Sequence, residues 1–155
     1  MPNKEIRIFE LAVHHSEELS QMLSSDRAVY RQYFHPFSLA PDALKNRLQA
    51  TQQDRYWGIR CGENMAGFFM LRGWDEGFDR PTFGVYIAEA FGHQGLSQLA
   101  LQYALSWCRL NGVSVVMLKV HSDNSHARRI YEREGFEFHR MCPDTGHRIL
   151  EKRLD

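Results

Sequence analysis

The apolar positions of this chain change their spacing as it proceeds, and each change marks an element. IRIFELAV (6–13) alternates with period two and reads as a first strand. SEELSQMLSS (16–25) then sets Leu19, Met22 and Leu23 at helical spacing behind Ser16, a residue type suited to the N-cap. Pro36 and Pro41 break the next segment, after which Leu44 and Leu48 resume a helical repeat. RYWGIRC (55–61) and MAGFFMLRGW (65–74) flank Gly-Glu-Asn as an antiparallel hairpin, and TFGVYIA (82–88) supplies one more strand. The turn-rich GWDEGFDRP (73–81) between them reads as a loop within the domain.

From Gly95 onward Leu96, Leu99, Ala100, Tyr103, Ala104, Trp107 and Cys108 follow the i, i+3, i+4, i+7 rule, with Gln98, Gln102 and Arg109 on the polar side. This third helix ends near Asn111-Gly112. SVVMLKV (114–120) is apolar on both faces, which predicts a strand inside the sheet with cover on each side. A fourth helix spans about 125–134 and stops at Gly135, and FEFHRMC and HRILEKRL close the chain as strands around a PDTG turn. The pattern amounts to an α/β (α+β) fold, a mixed sheet with four helices.

Composition narrows the field. At 155 residues and 18.2 kDa, with 43% apolar residues, residues 1–155 are expected to form a single domain around one core. Zero formal net charge and a pI near 7 lack the electrostatic footprint of a duplex nucleic-acid binder, so no nucleic acid is expected as a partner. Cys61, Cys108 and Cys142 lack paired metal or redox spacing, and the histidines, His14-His15 included, lack a third partner at ligand spacing. Reduced thiols, no metal, no membrane span and a cytoplasmic location are the expectations.

Two segments carry candidate chemistry. In TFGVYIAEAFGHQGLSQLALQYALSW a strand and a glycine-containing turn lead into the long helix, whose first N–H groups and positive dipole end suit a phosphate. Gly92 and Gly95 let backbone come close to such a group. Taken alone, the segment reads as a tight connection with no ligand. In NSHARRIYEREGF (124–136), Asn124 and Tyr131 stand seven residues apart on one helical face, about 10 Å along the axis. Ala127 leaves a groove between them.

With these residues in place the chain resembles the GNAT superfamily of N-acetyltransferases. The family's pyrophosphate loop is similar to Gly92-His93-Gln94-Gly95-Leu96-Ser97, and its second motif matches Val120, Asn124, Ala127, Tyr131, Gly135 and Phe136. The order of elements is similar from near residue 5 to the C-terminus. Two positions depart: Gly92 stands where Gln or Arg is usual and Ser97 where Gly or Ala is usual, leaving backbone donors to carry the binding. The resemblance implies a mixed, mostly antiparallel twisted sheet of six to seven strands flanked by four helices, splayed between the fourth and fifth strands.

It also implies transfer of an acetyl group from acetyl-CoA, without metal, to the primary amine of a small molecule by direct attack. Ile87, Gly92, His93, Gln94, Gly95, Leu96, Ser97, Asn124, Ala127 and Tyr131 would then hold the coenzyme. A main-chain N–H at the end of the Ile87 strand would bind the thioester carbonyl, and Tyr131 would protonate the sulfur. With reference pKa values near 10 and 8.5 that transfer is uphill by only about 2 kcal/mol. Glu89 and His121 are the two candidates for the base. The first two helices, the loop near DEGFDRP and the C-terminal hairpin are expected to form the acceptor surface. Tyr30, Tyr33, Phe34, His35 and Phe37 either line its pocket or pack beneath an irregular loop. A protein N-terminus or lysine as acceptor, and a non-catalytic acyl-CoA-binding module, remain open, as does a homodimer formed through an edge left by the last strand.

Overall fold

The computed structural model describes residues 4–34 and 36–155. Its elements run β1 (Ile6–Glu10), α1 (Ser16–Ser25), α2 (Pro41–Ala50), β2 (Arg55–Cys61), β3 (Asn64–Arg72), β4 (Thr82–Ile87), α3 (Leu96–Leu110), β5 (Val115–Val120), α4 (Ser125–Arg133), β6 (Glu137–Met141) and β7 (Arg148–Arg153). One seven-stranded sheet takes the order β1-β2-β3-β4-β5-β7-β6, antiparallel everywhere except between β4 and β5. The last strand therefore lies inside the sheet and β6 forms the edge, contrary to the sequence expectation: β7 has two neighbours to satisfy its backbone.

Alternation along the strands sorts side chains onto two faces. Trp57, Ile59, Phe69, Leu71, Phe83, Leu118, Val120 and Leu150 meet Leu96, Ala100, Leu101, Ala104, Leu105 and Cys108 of α3, with Phe136 packed among them. Tyr56, Phe68, Met70 and Tyr86 face the other way, onto Leu19 and Leu23 of α1 and Leu44 of α2. Burying side chains of this size stabilises by about 1.5–3 kcal/mol each. The α3 core face is shifted from the expected stripe: Leu101 and Leu105 are buried with Leu96, Ala100, Ala104 and Cys108, while Leu99 and Tyr103 are exposed. Strand β5 meets the expectation in part: Val116, Leu118 and Val120 are buried beneath α3 and α4, while on the other face Val115 is buried, Met117 half-buried and Lys119 exposed.

Two helix ends show how the sequence sets the geometry. Ser16 begins α1 but does not cap it, because a 3-10 turn at Val13–His15 precedes it and its hydroxyl donates back to the Val13 carbonyl at 2.6 Å. At the end of α4 the N–H of Phe136 bonds the Tyr131 carbonyl at 3.0 Å and that of Gly135 bonds the Glu132 carbonyl at 3.0 Å. This is the 6→1, 5→2 pair of a Schellman stop, and it requires the left-handed φ of 93° found at Gly135. Lys152 of β7 donates to the Glu134 carbonyl beside it. Phe136, 2% exposed, is thereby driven into the core.

Gly135→Ala places a Cβ in the left-handed region and is expected to cost about 1–2 kcal/mol. The check is a lowered urea midpoint with an unchanged slope.

Candidate active site

Strands β4 and β5 touch at one register position, Thr82↔Met117, supported by the Met117 N–H on the Pro81 carbonyl at 2.9 Å. Beyond it they part, opening a cleft toward the far end of β4. Antiparallel pairing decides which groups of β4 face that cleft. The Ala88 N–H bonds Ala66 on β3 at 2.8 Å, so the intervening Ile87, opposite Gly67, turns its N–H and carbonyl away from β3 and into the opening. Its carbonyl accepts the Tyr30 hydroxyl at 2.6 Å, and its N–H is the donor that the splayed strand leaves available.

After β4, a 3-10 turn at Glu89–Phe91 leads through Gly92 to α3. His93 and Gly95 both take left-handed conformations, with φ of 60° and 85°. No side chain caps the helix. The main-chain N–H groups of His93, Gln94, Gly95, Leu96, Ser97 and Gln98 have no acceptor among the described residues, and the ladder begins with Leu99 on the Gly95 carbonyl at 3.0 Å. Six consecutive free donors at the positive end of a fifteen-residue helix form an anion cradle. It asks nothing of the side chain at Gly92, so the departure noted there leaves the cradle intact. A diphosphate fits this donor set.

Helix α4 borders the same cleft. Asn124 acts first as its N-cap, its side-chain oxygen accepting the Ala127 N–H at 3.3 Å. The half-buried Tyr131 ring packs on the α3 core and meets Phe136 edge-on at 5.9 Å. Its hydroxyl has no hydrogen-bond partner among the described residues. Burial pushes the phenol up to about 12. Proton transfer to a thiolate is then uphill by about 5 kcal/mol rather than the smaller figure expected from reference values. The same shift keeps the phenol protonated across the physiological range, as a proton donor requires.

The two candidate bases differ in surroundings. Glu89 is bonded by Arg27, whose Nε donates to it at 2.7 Å, and this hydrogen bond holds its carboxyl below the ordinary carboxylate range. His121, at the end of β5, accepts the Asp123 N–H on Nδ1 at 3.1 Å. The Asp123 carboxylate lies 3.9 Å from the same Nδ1.

Several cleft residues carried no chemical signal in the sequence. Asp26, just after α1, accepts the Tyr86 hydroxyl and the Glu89 N–H, the latter at 3.0 Å. Segment 27–34, folded as two turns, crosses the opening, with Tyr30 on Ile87 of one lip and the Tyr33 ring 4.9 Å from that of His121 on the other. His147, from the turn before β7, stands 4.9 Å from His121. The aromatic cluster read from the sequence thus divides: Tyr30 and Tyr33 face the cleft, while Phe34 packs on Phe68 and Tyr86 and Phe37 on Tyr56. His35 lies outside the described residues. The DEGFDRP loop does not join the cleft, because it links the end of β3 to the start of β4, where β4 and β5 are still paired; there Asp75 accepts the N–H groups of Gln52, Gln53 and Asp54. A cavity of about 490 Å³, lined by Phe37, Arg47, Tyr56 and Glu76, also lies toward that distal end, under α2.

A mixed sheet split between β4 and β5, with unbonded main-chain donors at the start of α3 beside the opening, suits a ligand that carries a diphosphate. The profile of the acetyltransferase (GNAT) family matches residues 20–136, and the chain belongs to that family. Among solved structures it is similar to PaiA N-acetyltransferase from Thermoplasma acidophilum in complex with coenzyme A: 18% identity, TM-score 0.78, over 96% of this chain and 99% of that one. It is also similar to an acetyl transferase from Salmonella typhimurium that modifies the N-terminal serine of a ribosomal subunit protein (15% identity, TM-score 0.78, 97% and 95% covered). A third likeness is to yncA from Salmonella typhimurium with its cofactor acetyl-CoA (17% identity, TM-score 0.78, 97% and 94% covered). No curated protein sequence matches the chain significantly. Among the described residues no cluster of His, Cys, Asp and Glu is arranged to hold a metal ion, no helix is long and apolar enough to cross a membrane, and the three cysteines are free thiols.

The raised phenol gives a measurable slope. Between pH 10 and about 12 the folded chain keeps the Tyr131 proton that the unfolded chain releases, so this contribution to stability is full below pH 10 and lost as the pH rises through about 12. Denaturant midpoints across that window should fall less steeply for Tyr131→Phe than for the parent.

Proposed function

We propose that this protein transfers an acetyl group from acetyl-CoA to the primary amine of a small molecule by direct attack within a ternary complex. The observation that supports the reading is the run of six unbonded N–H groups beside the split between β4 and β5, with Tyr131 on the helix that follows β5. His93 to Gln98 would hold the diphosphate through main-chain donors, with Asn124 and Ala127 lining the coenzyme's path. Acetyl-CoA supplies the activated acetyl thioester. The Ile87 N–H donates to the carbonyl oxygen on which negative charge grows as the amine nitrogen forms its bond to carbon. Tyr131 gives its proton to the sulfur as the carbon–sulfur bond breaks, and recovers one from solvent. Glu89, ionised and 28% exposed but bonded by Arg27, and His121, beside the Asp123 carboxylate, remain the two candidates to take the amine proton and relay it to water.

A small acceptor is favoured over a peptide because segment 27–34, β5 and the turn before β7 meet above the cleft through Tyr33, His121 and His147, narrowing the approach a peptide would need. The relative that modifies a ribosomal protein's N-terminus makes the alternative concrete.

The test is thiol release from acetyl-CoA against panels of small amines and N-terminal peptides. Release with peptides alone would overturn the small-acceptor reading; CoA binding without release in either panel would favour a non-catalytic module. Tyr131→Phe is expected to lower kcat by about 10- to 100-fold with an unchanged Kd for CoA. Parent-like turnover would remove the phenol from the mechanism. Gly95→Val, which a φ of 85° disfavours, should instead weaken CoA about tenfold by calorimetry.

A further inference from the structure

Around the mouth of the cleft nearly every charge has a partner. Asp26 receives the Tyr86 hydroxyl and the Glu89 N–H; Glu89 receives Arg27. Arg31 is the exception. Its guanidinium has no hydrogen bond, ion pair or facing aromatic ring among the described residues, although its Nε is shut off from solvent. The other arginine with a buried unbonded Nε, Arg148, lies 5.5 Å over the Phe138 ring. Arg31 has no such substitute.

Its position gives this meaning. Arg31 follows Tyr30, whose hydroxyl touches Ile87 on one lip, and precedes by two residues Tyr33, whose ring meets His121 on the other. Its backbone is fixed by its N–H on the Arg27 carbonyl at 3.2 Å and by the Phe34 N–H on its own carbonyl at 2.9 Å. From there its charge reaches the Tyr86 phenol, one residue before the strand end where the acetyl group would sit. A cation on the segment that spans the opening, with donors that no protein group fills, matches an anion brought by the substrate. We propose that the acceptor amine carries a carboxylate close to its nitrogen, as an α-amino acid does, and that Arg31 binds it and aims the amine toward Ile87. This rests on the transferase reading above and narrows its acceptor.

The experiment compares α-amino acids with their carboxamides as acceptors from acetyl-CoA, and in parallel measures calorimetrically the binding of N-acetyl-amino acids to the CoA-loaded protein. The acids are expected to exceed their amides at least tenfold in kcat/KM. Arg31→Gln should raise KM for the acids by about 10- to 100-fold, leaving their kcat, the amides' KM and the Kd of CoA in place. Arg31→Lys should recover part of the loss. Amides used as well as acids, or equal losses on both in Arg31→Gln, would overturn the proposal while leaving the transferase intact. If no amine is acetylated, the transferase reading fails instead, and calorimetry still decides: carboxylate binding lost in Arg31→Gln supports the anion site, and binding absent from the parent or unchanged in the variant refutes it.

Discussion

A sheet whose β4 and β5 strands pair at one residue and then separate must leave main-chain groups without partners along the gap. Much of the site follows from that single bridge at Thr82↔Met117. It exposes the Ile87 N–H and carbonyl, directs the 3-10 turn and Gly92 outward, and sets the start of α3 beside the opening. Pairing β4 and β5 to their ends would satisfy those groups and close the cleft. The fold tolerates the split because β4 is fully laddered to β3 and β5 to β7, so each half of the sheet is stable on its own side.

The Tyr131 phenol is placed from the opposite direction. It depends on where α4 stops, which depends on Gly135 accepting a left-handed φ and on Phe136 finding the core. The Phe136 N–H bonds the Tyr131 carbonyl while its ring touches the Tyr131 ring, so main chain and side chain hold the same residue. A charged helix that ends in Gly-Phe thus fixes the backbone and the ring of Tyr131 together.

The sequence was readable where local chemistry decides. The α3 helix, the Gly135 stop and the Gly92–Ser97 turn carry their own signals, and the structure shows a helix, a Schellman pair and a run of unbonded main-chain N–H groups there. It was less readable where partners come from afar. Ser16 looks like a cap until the preceding 3-10 turn captures its hydroxyl. Asp26, Arg27 and Arg31 look like any charged surface residues, because their meaning comes from Tyr86 and Glu89 some sixty positions later. The DEGFDRP loop was misplaced since composition reveals a loop but not the end of the sheet it occupies. The role of β7 as an inner strand depends on pairing, which periodicity does not encode.

An anion cradle built from backbone amides has a further consequence for how such a protein changes over generations. Gln94, Ser97 and Gln98 can be exchanged for most other residues without removing a single donor, so a ligand held there through backbone amides would hardly register such drift. Segment 27–34, which contributes through side chains, has no such protection. Selection for a new acceptor can therefore work on one wall of the cleft while the opposite wall keeps its ligand.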